Sequence, residues 1–355
     1  MLLLRSGRRR WGAFASALVL LVATVTAAEP ASAHGIPTAP VLSMELTTAG
    51  FVVPGPNPRP AGPVTFRLST QDARGHFWST FKVRGETTLT QVLEWFSLAH
   101  SPDKNVAIPA LRSLYTNVEF TGGAAVHPSG PIGLTANLTP GLYFITDYLA
   151  PQFPTGQAAG TLVASETDQS VLSPMLAGIE SVLRAHAGKA TTARTAAATA
   201  ADEEPAPAPS PFGILFVEDR TEFAVPPAFQ AVLNMREVNG AAVYQPIGRF
   251  RARGAFLFRN ATSMPQEVQF EGVVPGATDR DVQNYYNFLK WGGPAAPNPF
   301  PGIRPGGALL LSPDHWVVVQ TEFAPGRYCG LSFVTNWNTA VQQAYEGVHV
   351  VIQMH

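Results

Sequence analysis

Apolar and polar positions alternate with a period of two along much of the chain. Val64, Phe66 and Leu68 alternate with Thr65 and Arg67, the pattern of a half-buried strand. Pro-Gly pairs at 140–141 and 325–326 are turn chemistry leading into further apolar runs. The period changes in GETTLTQVLEWF (85–96). Thr88 and Gln91 fit a capping box there, and Leu89, Val92, Leu93 and Phe96 fall on one helix face. Val171, Met175, Leu176, Ile179, Val182 and Leu183 also recur at helical spacing. Short strands, frequent turns and one crossover helix per set of strands predict an all-β, Greek-key β-sandwich.

The pattern occurs twice. VTFRL (64–68), GHFWSTFKV (75–83) and GETTLTQVLEWF (85–96) are matched by FLFRN (256–260), PQEVQFEGVV (265–274) and GATDRDVQNYYNFL (276–289). Gly-Gly at 122–123 and LTPGLYFITDY at 138–148 correspond to Gly-Gly at 306–307 and FAPGRYCGLSF at 323–333. GTLVAS (160–165) and GVHVVIQM (347–354) are the expected last strands of the two halves. Between the halves, residues 187–211 run through Ala/Thr, a short acidic patch and a Pro-Ala alternation that cannot build a core. The expected organisation is a signal peptide at 1–33, one sandwich domain at 34–168, a helix and linker at 169–211, and a second sandwich domain at 212–355.

The N-terminus carries an address. Arg5, Arg8, Arg9 and Arg10 precede an apolar stretch from Trp11 to Val25, and Ala31-Ser32-Ala33 is a small-x-small cleavage site. This reads as a secretory signal peptide, too short in its apolar part to span a bilayer comfortably. Arg8-Arg9 raises a twin-arginine export route, although its flanks fit poorly. No other run is long enough to cross a membrane.

Composition narrows the classes. Charged residues make only 14% of the 355, against roughly 25% in a typical soluble protein. The chain has 24 Lys and Arg against 25 Asp and Glu; losing the four Arg and one Glu of residues 1–33 leaves 20 against 24, a net of −4. No basic stripe is present, which argues against nucleic acid as a partner. The single cysteine, Cys329, excludes an internal disulfide, so stability must come from burial.

The repeated frame resembles the cupredoxin family. F-x-N at 258–260, P-Q-E-V at 265–268, P-G-x-Y at 325–328 and the late Gly347 carry the resemblance, over roughly residues 45–165 and 213–355. The resemblance implies a trigonal copper site of two His and one Cys with a weak axial Met. In the second half the implied places hold Gln266 for the first His, Ser332 for the Cys and Val348 for the Met, and residues 333–346 offer no second His. In the first half the corresponding residues are His76, Asp147 and Thr161. Cys329 lies one residue after Tyr328, so strand parity turns it away from the face of Tyr328 and Ser332.

Three residues remain as metal candidates: His34, His76 and Asp147. The fold would bring His76 and Asp147 together, either as a hydrogen bond satisfying two half-buried groups or as a remnant hard-metal or proton-linked site. Cleavage after Ala33 would expose His34 as a terminal residue. Its amine and imidazole suit Cu(II), as in the histidine brace of lytic polysaccharide monooxygenases, with His76, His100 or His127 as second ligand. His349 and His355 share one strand face beside Met354 and read as terminal residues or a weak metal pair. Asn260-Ala-Thr262 fits a glycosylation sequon. Trp291 and Trp337 read as core or loop anchors, or as exposed aromatics for protein or glycan contact. The expectation is therefore a secreted or envelope-associated binding or scaffold protein. It would be no enzyme and carry no cofactor, its partner being an unknown extracellular protein or glycan. A copper protein built on His34 is the alternative.

Overall fold

The period-two segments form strands. The computed structural model describes residues 37–149 and 209–355. The first half contributes β1 (Val41–Leu46), β2 (Arg59–Thr70), β3 (His76–Val83), β4 (Val118–Val126), β5 (Ile132–Leu138), β6 (Gly141–Leu149) and β7 (Phe212–Thr221). Between β3 and β4 lies the expected helix, α1 (Leu89–Ala99). Its capping box is complete: Thr88 Oγ1 accepts from the Gln91 backbone, and Gln91 Oε1 accepts from the Thr88 backbone at 2.8 Å. A second helix, α2 (Lys104–Asn117), follows it, so this half has two crossover helices where the sequence pattern shows one. Its buried face begins with Ala107 and Ala110 and brackets Pro109, so the apolar spacing that announces a helix is faint there.

The second half contributes β8 (Ala231–Val238), β9 (Ala241–Gly248), β10 (Arg253–Ala261), β11 (Gln266–Gly272), β12 (Gly306–Leu311), β13 (Trp316–Glu322), β14 (Gly326–Leu331), a small hairpin of β15 (Thr335–Asn336) and β16 (Val341–Gln342), and β17 (His349–Met354). Its one crossover helix is α3 (Asp279–Trp291), between β11 and β12. The Thr278/Asp281 capping box starts it, and Gly292, at φ 67°, closes it in the left-handed conformation.

The two halves share one pairing scheme. In the first, β1 runs parallel to β2, β2 pairs antiparallel with β5, and β3 lies between β4 and β6, with β7 beyond β6. In the second, β8 runs parallel to β10, β10 pairs with β13, and β11 lies between β12 and β14, with β17 beyond β14. The sequence pattern assigns the end strand of the first half to residues 160–165, which lie outside the described residues, as does the helix expected over 171–183. The place equivalent to β17 is filled by β7, whose residues the sequence pattern assigns to the second half.

Both layers run unbroken from one half to the other. β5 pairs antiparallel with β13, and β4 with β12. Phe66 packs at a tilt against Trp78 across the layers at 4.8 Å, and Phe256 meets Phe270 edge-on at 5.8 Å. These pairs belong to one apolar cluster spanning both halves. The outer face of the β3/β4/β6 sheet is sealed by α1 and α2 over Phe81, Phe120 and Phe144. That of β11/β14 is sealed by α3 over Val273, Cys329 and Leu331. A layer covered on both sides must bury nearly every side chain, so its strands lose the clean alternation that sequence reading relies on. No helix among the described residues is long and apolar enough to cross a membrane.

Candidate functional site

Strand pairing brings the implied ligand places together in both halves. β3 and β6 are neighbours with Trp78 opposite Asp147, so the side chains of His76 and Asp147 meet at the end of the inner face. His76 Nδ1 lies 3.0 Å from both Asp147 oxygens, and both residues are buried. Burial pushes the Asp147 carboxyl up, and the His76 hydrogen bond and charge pull it back. In the second half Ser332 Oγ donates to Gln266 Oε1 at 3.3 Å, and Gln266 Nε2 donates to Thr262 Oγ1 at 3.2 Å. Val348 is buried nearby in sequence and packs in the shared core. The same two places thus hold a hydrogen-bonded polar pair in each half, ionisable in one and neutral in the other.

The motifs around these pairs have structural reasons. The Pro-Gly turns return the chain so that a buried tyrosine reaches back four residues. Tyr143 OH donates to Thr139 O at 2.9 Å, and Tyr328 OH donates to Ala324 O at 2.8 Å. Asn260 is fully buried. Its amide donates to Met264 O and Leu311 O and accepts from Thr262, tying β10 to the start of β11. Such an amide is closed to a glycosyl-transferring enzyme in the folded chain, so the sequon there is a structural motif.

His76 Nε2 is buried and has no hydrogen-bond partner among the described residues. His127 lies just past β4 with its ring against Gly75. Burial, the positive Arg304 and then His76 push its pKa down to about 4, so it is neutral at ordinary pH. Arg304 comes from the second half, where it pairs with Glu271 at 3.3 Å.

These donors do not fit the trigonal copper site that the resemblance implies. The place of the thiolate holds Asp147 or Ser332. Tyr328 faces the core between the layers, whereas Cys329 faces α3, as strand parity requires. Burial pushes the Cys329 thiol far up, away from the thiolate form that binds metal. Among the described residues no group of three or more His, Cys, Asp and Glu stands where it could hold a metal ion. His34 and Thr161 lie outside the described residues. His349 bridges β17 to α3 through Gln283 Oε1 at 3.0 Å, and His100 Nδ1 lies 2.7 Å from Phe96 O at the end of α1. Both have structural partners. His355 is exposed at the last position.

Sequence reading passed over an outward-facing polar row on β11. Glu267, Gln269 and Glu271 are all buried. Glu267 Oε1 accepts from Gln269 Nε2 at 2.9 Å and from the Phe333 backbone at 2.8 Å. Burial nonetheless raises its pKa to about 7. PQEVQFEGVV presents these residues as the solvent side of an alternating strand; only the covering loop and helices show that they are enclosed. The two tryptophans separate: Trp337 packs 5.9 Å from Tyr115, whereas Trp291 at the end of α3 is 57% exposed.

The fold is an all-β sandwich carrying crossover helices. No family model and no curated protein matches the chain. Solved structures do. A copper nitrite reductase from Nitrosomonas europaea matches over 90% of this chain and 94% of its own, at 11% identity and a TM-score of 0.21. A blue copper oxidase from the same organism matches over 89% and 86%, at 11% and 0.18. Reduced auracyanin from Roseiflexus castenholzii covers 35% of this chain and 96% of its own, at 16% and 0.20. At such scores the matches transfer no activity. Solved enzymes and copper proteins nevertheless stand among them, which corrects two sequence-based expectations, that the chain is no enzyme and that it takes no cofactor. Neither exclusion is retained.

Proposed function

We propose that the chain is exported and works as a binding module at the cell envelope or outside the cell, built from a duplicated sandwich. The observation that carries this reading is the apolar surface around α3. Trp291 is 57% exposed, Ile303 55%, Phe288 40% and Val274 39%. Large apolar side chains left exposed on and beside one helix mark a contact site; Phe223, Val41 and Ile247 are exposed elsewhere, on other elements. The Arg-rich, apolar segment 1–33 supports export, and the low charge of the rest suits an extracellular surface.

Fractionation of the source cells tests the reading. The expected result is a processed protein beginning at His34, found in the medium or co-sedimenting with envelope. An unprocessed protein confined to the cytosol, with no affinity for envelope, would overturn it.

A further inference from the structure

A groove of about 550 Å³ runs along α3. One wall is the helix face carrying Asp281, Asn284 and Asn287, spaced three residues apart and so aligned. The opposite wall is the proline-rich stretch 294–299, which includes Asn298; Val274 to Ala277 form the end. Trp291 extends the helix face by one more turn beyond Asn287.

The walls are held in place. The Gly293 N–H donates to Asn287 O at 3.1 Å, which anchors the start of the proline-rich stretch. The Val274 N–H donates to Pro299 O at 2.9 Å, which anchors its end. Phe300 then packs 6.0 Å from both Tyr285 and Tyr286 of α3. Gln283 Nε2 donates to Asn287 Oδ1 at 2.9 Å and fixes that amide. Prolines add rigidity because their φ is preset. A site of this size with preset walls binds without a large ordering cost.

We propose that this groove binds a neutral glycan chain. The claim rests on the binding-module reading above and names its ligand. Three side-chain amides, Asn284, Asn287 and Asn298, each offer N–H donors to sugar hydroxyls. The Asn287 and Asn298 oxygens already accept from Gln283 Nε2 and the Phe300 backbone, which fixes both amides and the direction of their N–H groups. Asp281 is the one ionisable residue of the walls, and no wall residue is cationic, so nothing there selects an anionic ligand. Proline rings in the wall, and the exposed Trp291 beyond the groove's lining at the end of α3, present flat apolar surfaces suited to the C–H face of a pyranose.

The test uses the secreted full-length protein in native gels cast with soluble α-glucan, β-1,3-glucan, xylan or galactomannan. Retardation is expected with at least one of them. The surface variants Asn284→Ala and Trp291→Ala should each weaken it, on the order of tenfold for a central contact, with unfolding midpoints unchanged. No retardation by any polysaccharide, or retardation that the variants leave intact, would overturn the proposal. Co-sedimentation with envelope separates it from the broader reading. Loss of binding after periodate treatment of the envelope supports a glycan. Loss after protease but not periodate means a protein partner and overturns the glycan. Envelope binding that the variants leave intact also overturns the groove while the binding-module reading stands; no envelope binding at all removes both.

Discussion

Ala124 of β4 stands opposite Ala308 of β12, and Leu134 of β5 stands opposite Val319 of β13. Matching Gly-Gly 122–123 with 306–307, and Pro-Gly 140–141 with 325–326, makes each of these residues the counterpart of the one it faces. Antiparallel pairing between counterparts is what a two-fold axis produces, so the halves meet as two subunits of a symmetric dimer would. Edges that would be open in either half alone are closed by the other.

The join depends on glycine. Gly122 and Gly306 sit at counterpart places with φ of 124° and 117°. A Cβ on Gly122 would lie 3.0 Å from Val317 and 3.2 Å from Leu134, and one on Gly306 would lie 2.9 Å from Ile132 across the join. Gly122→Ala should destabilise by about 1–3 kcal/mol from backbone strain alone, with crowding adding to it. Gly276 also has a positive φ, with open space around it. Gly276→Asn should therefore be nearly neutral, because Asn tolerates that conformation. Thermal unfolding of both variants checks this, and equal losses would refute the role of the join.

Because the core and both layers are continuous, the halves should unfold in one transition. A protease site engineered within residues 187–208 and then cut should yield two fragments that co-elute on size exclusion. β7 remains paired with β6 after such a cut, so the first half keeps a strand that belongs to the second fragment. Separation of the fragments in native buffer would contradict this.

The buried pair in the first half predicts a non-additive cycle. His76→Phe leaves the Asp147 carboxyl buried without its partner and should cost about 3–5 kcal/mol. His76→Gln/Asp147→Ser copies the pair that Gln266 and Ser332 form in the second half and should recover most of that loss. Chemical denaturation of the single and double variants measures the coupling. A double variant as unstable as His76→Phe would show that the two places are not equivalent.

Glu267 sets a pH dependence. Its folded pKa, about 7, lies above the ordinary value of 4.5, so between these limits the folded state keeps a proton that the unfolded state has lost. Stability from this group is full below pH 4.5 and declines as pH rises to 7, by about 3 kcal/mol in all. His127 acts the other way: its folded pKa near 4 lies below the ordinary 6.5, so its contribution grows as pH rises through that window. Glu267→Gln keeps an oxygen for Phe333 and Gln269 and removes only the first slope. The variant should therefore gain on the parent chain as pH rises from 4.5 to 7, read from denaturation midpoints across the range. A constant difference would show that Glu267 titrates normally.

Periodicity, turn residues and repeated motifs were enough to place β2, β3, α1, β6 and β11, because local chemistry alone decides an alternating strand, a capping box or a Pro-Gly turn. The family resemblance, not the local pattern, implied that His76 lies near Asp147 and put Gln266 and Ser332 at two ligand places; the strand pairing then showed that each pair is in contact. Three things had no local signal. The strand completing the first half comes from beyond the Ala/Pro-rich segment, because many apolar runs can fill one sheet position and only pairing selects among them. Glu267 and Glu271 read as a solvent-facing row until α3, Tyr115 and the loop after Ser332 enclose that side of β11. The groove beside α3 exists because the proline-rich stretch is anchored at both ends by backbone hydrogen bonds. The sequence by itself determined which residues make strands, turns and caps, since those preferences act within a few residues. Only the tertiary structure decided which edges meet, which carboxylates lose water and which tryptophan stays exposed, because those depend on segments far apart in the chain.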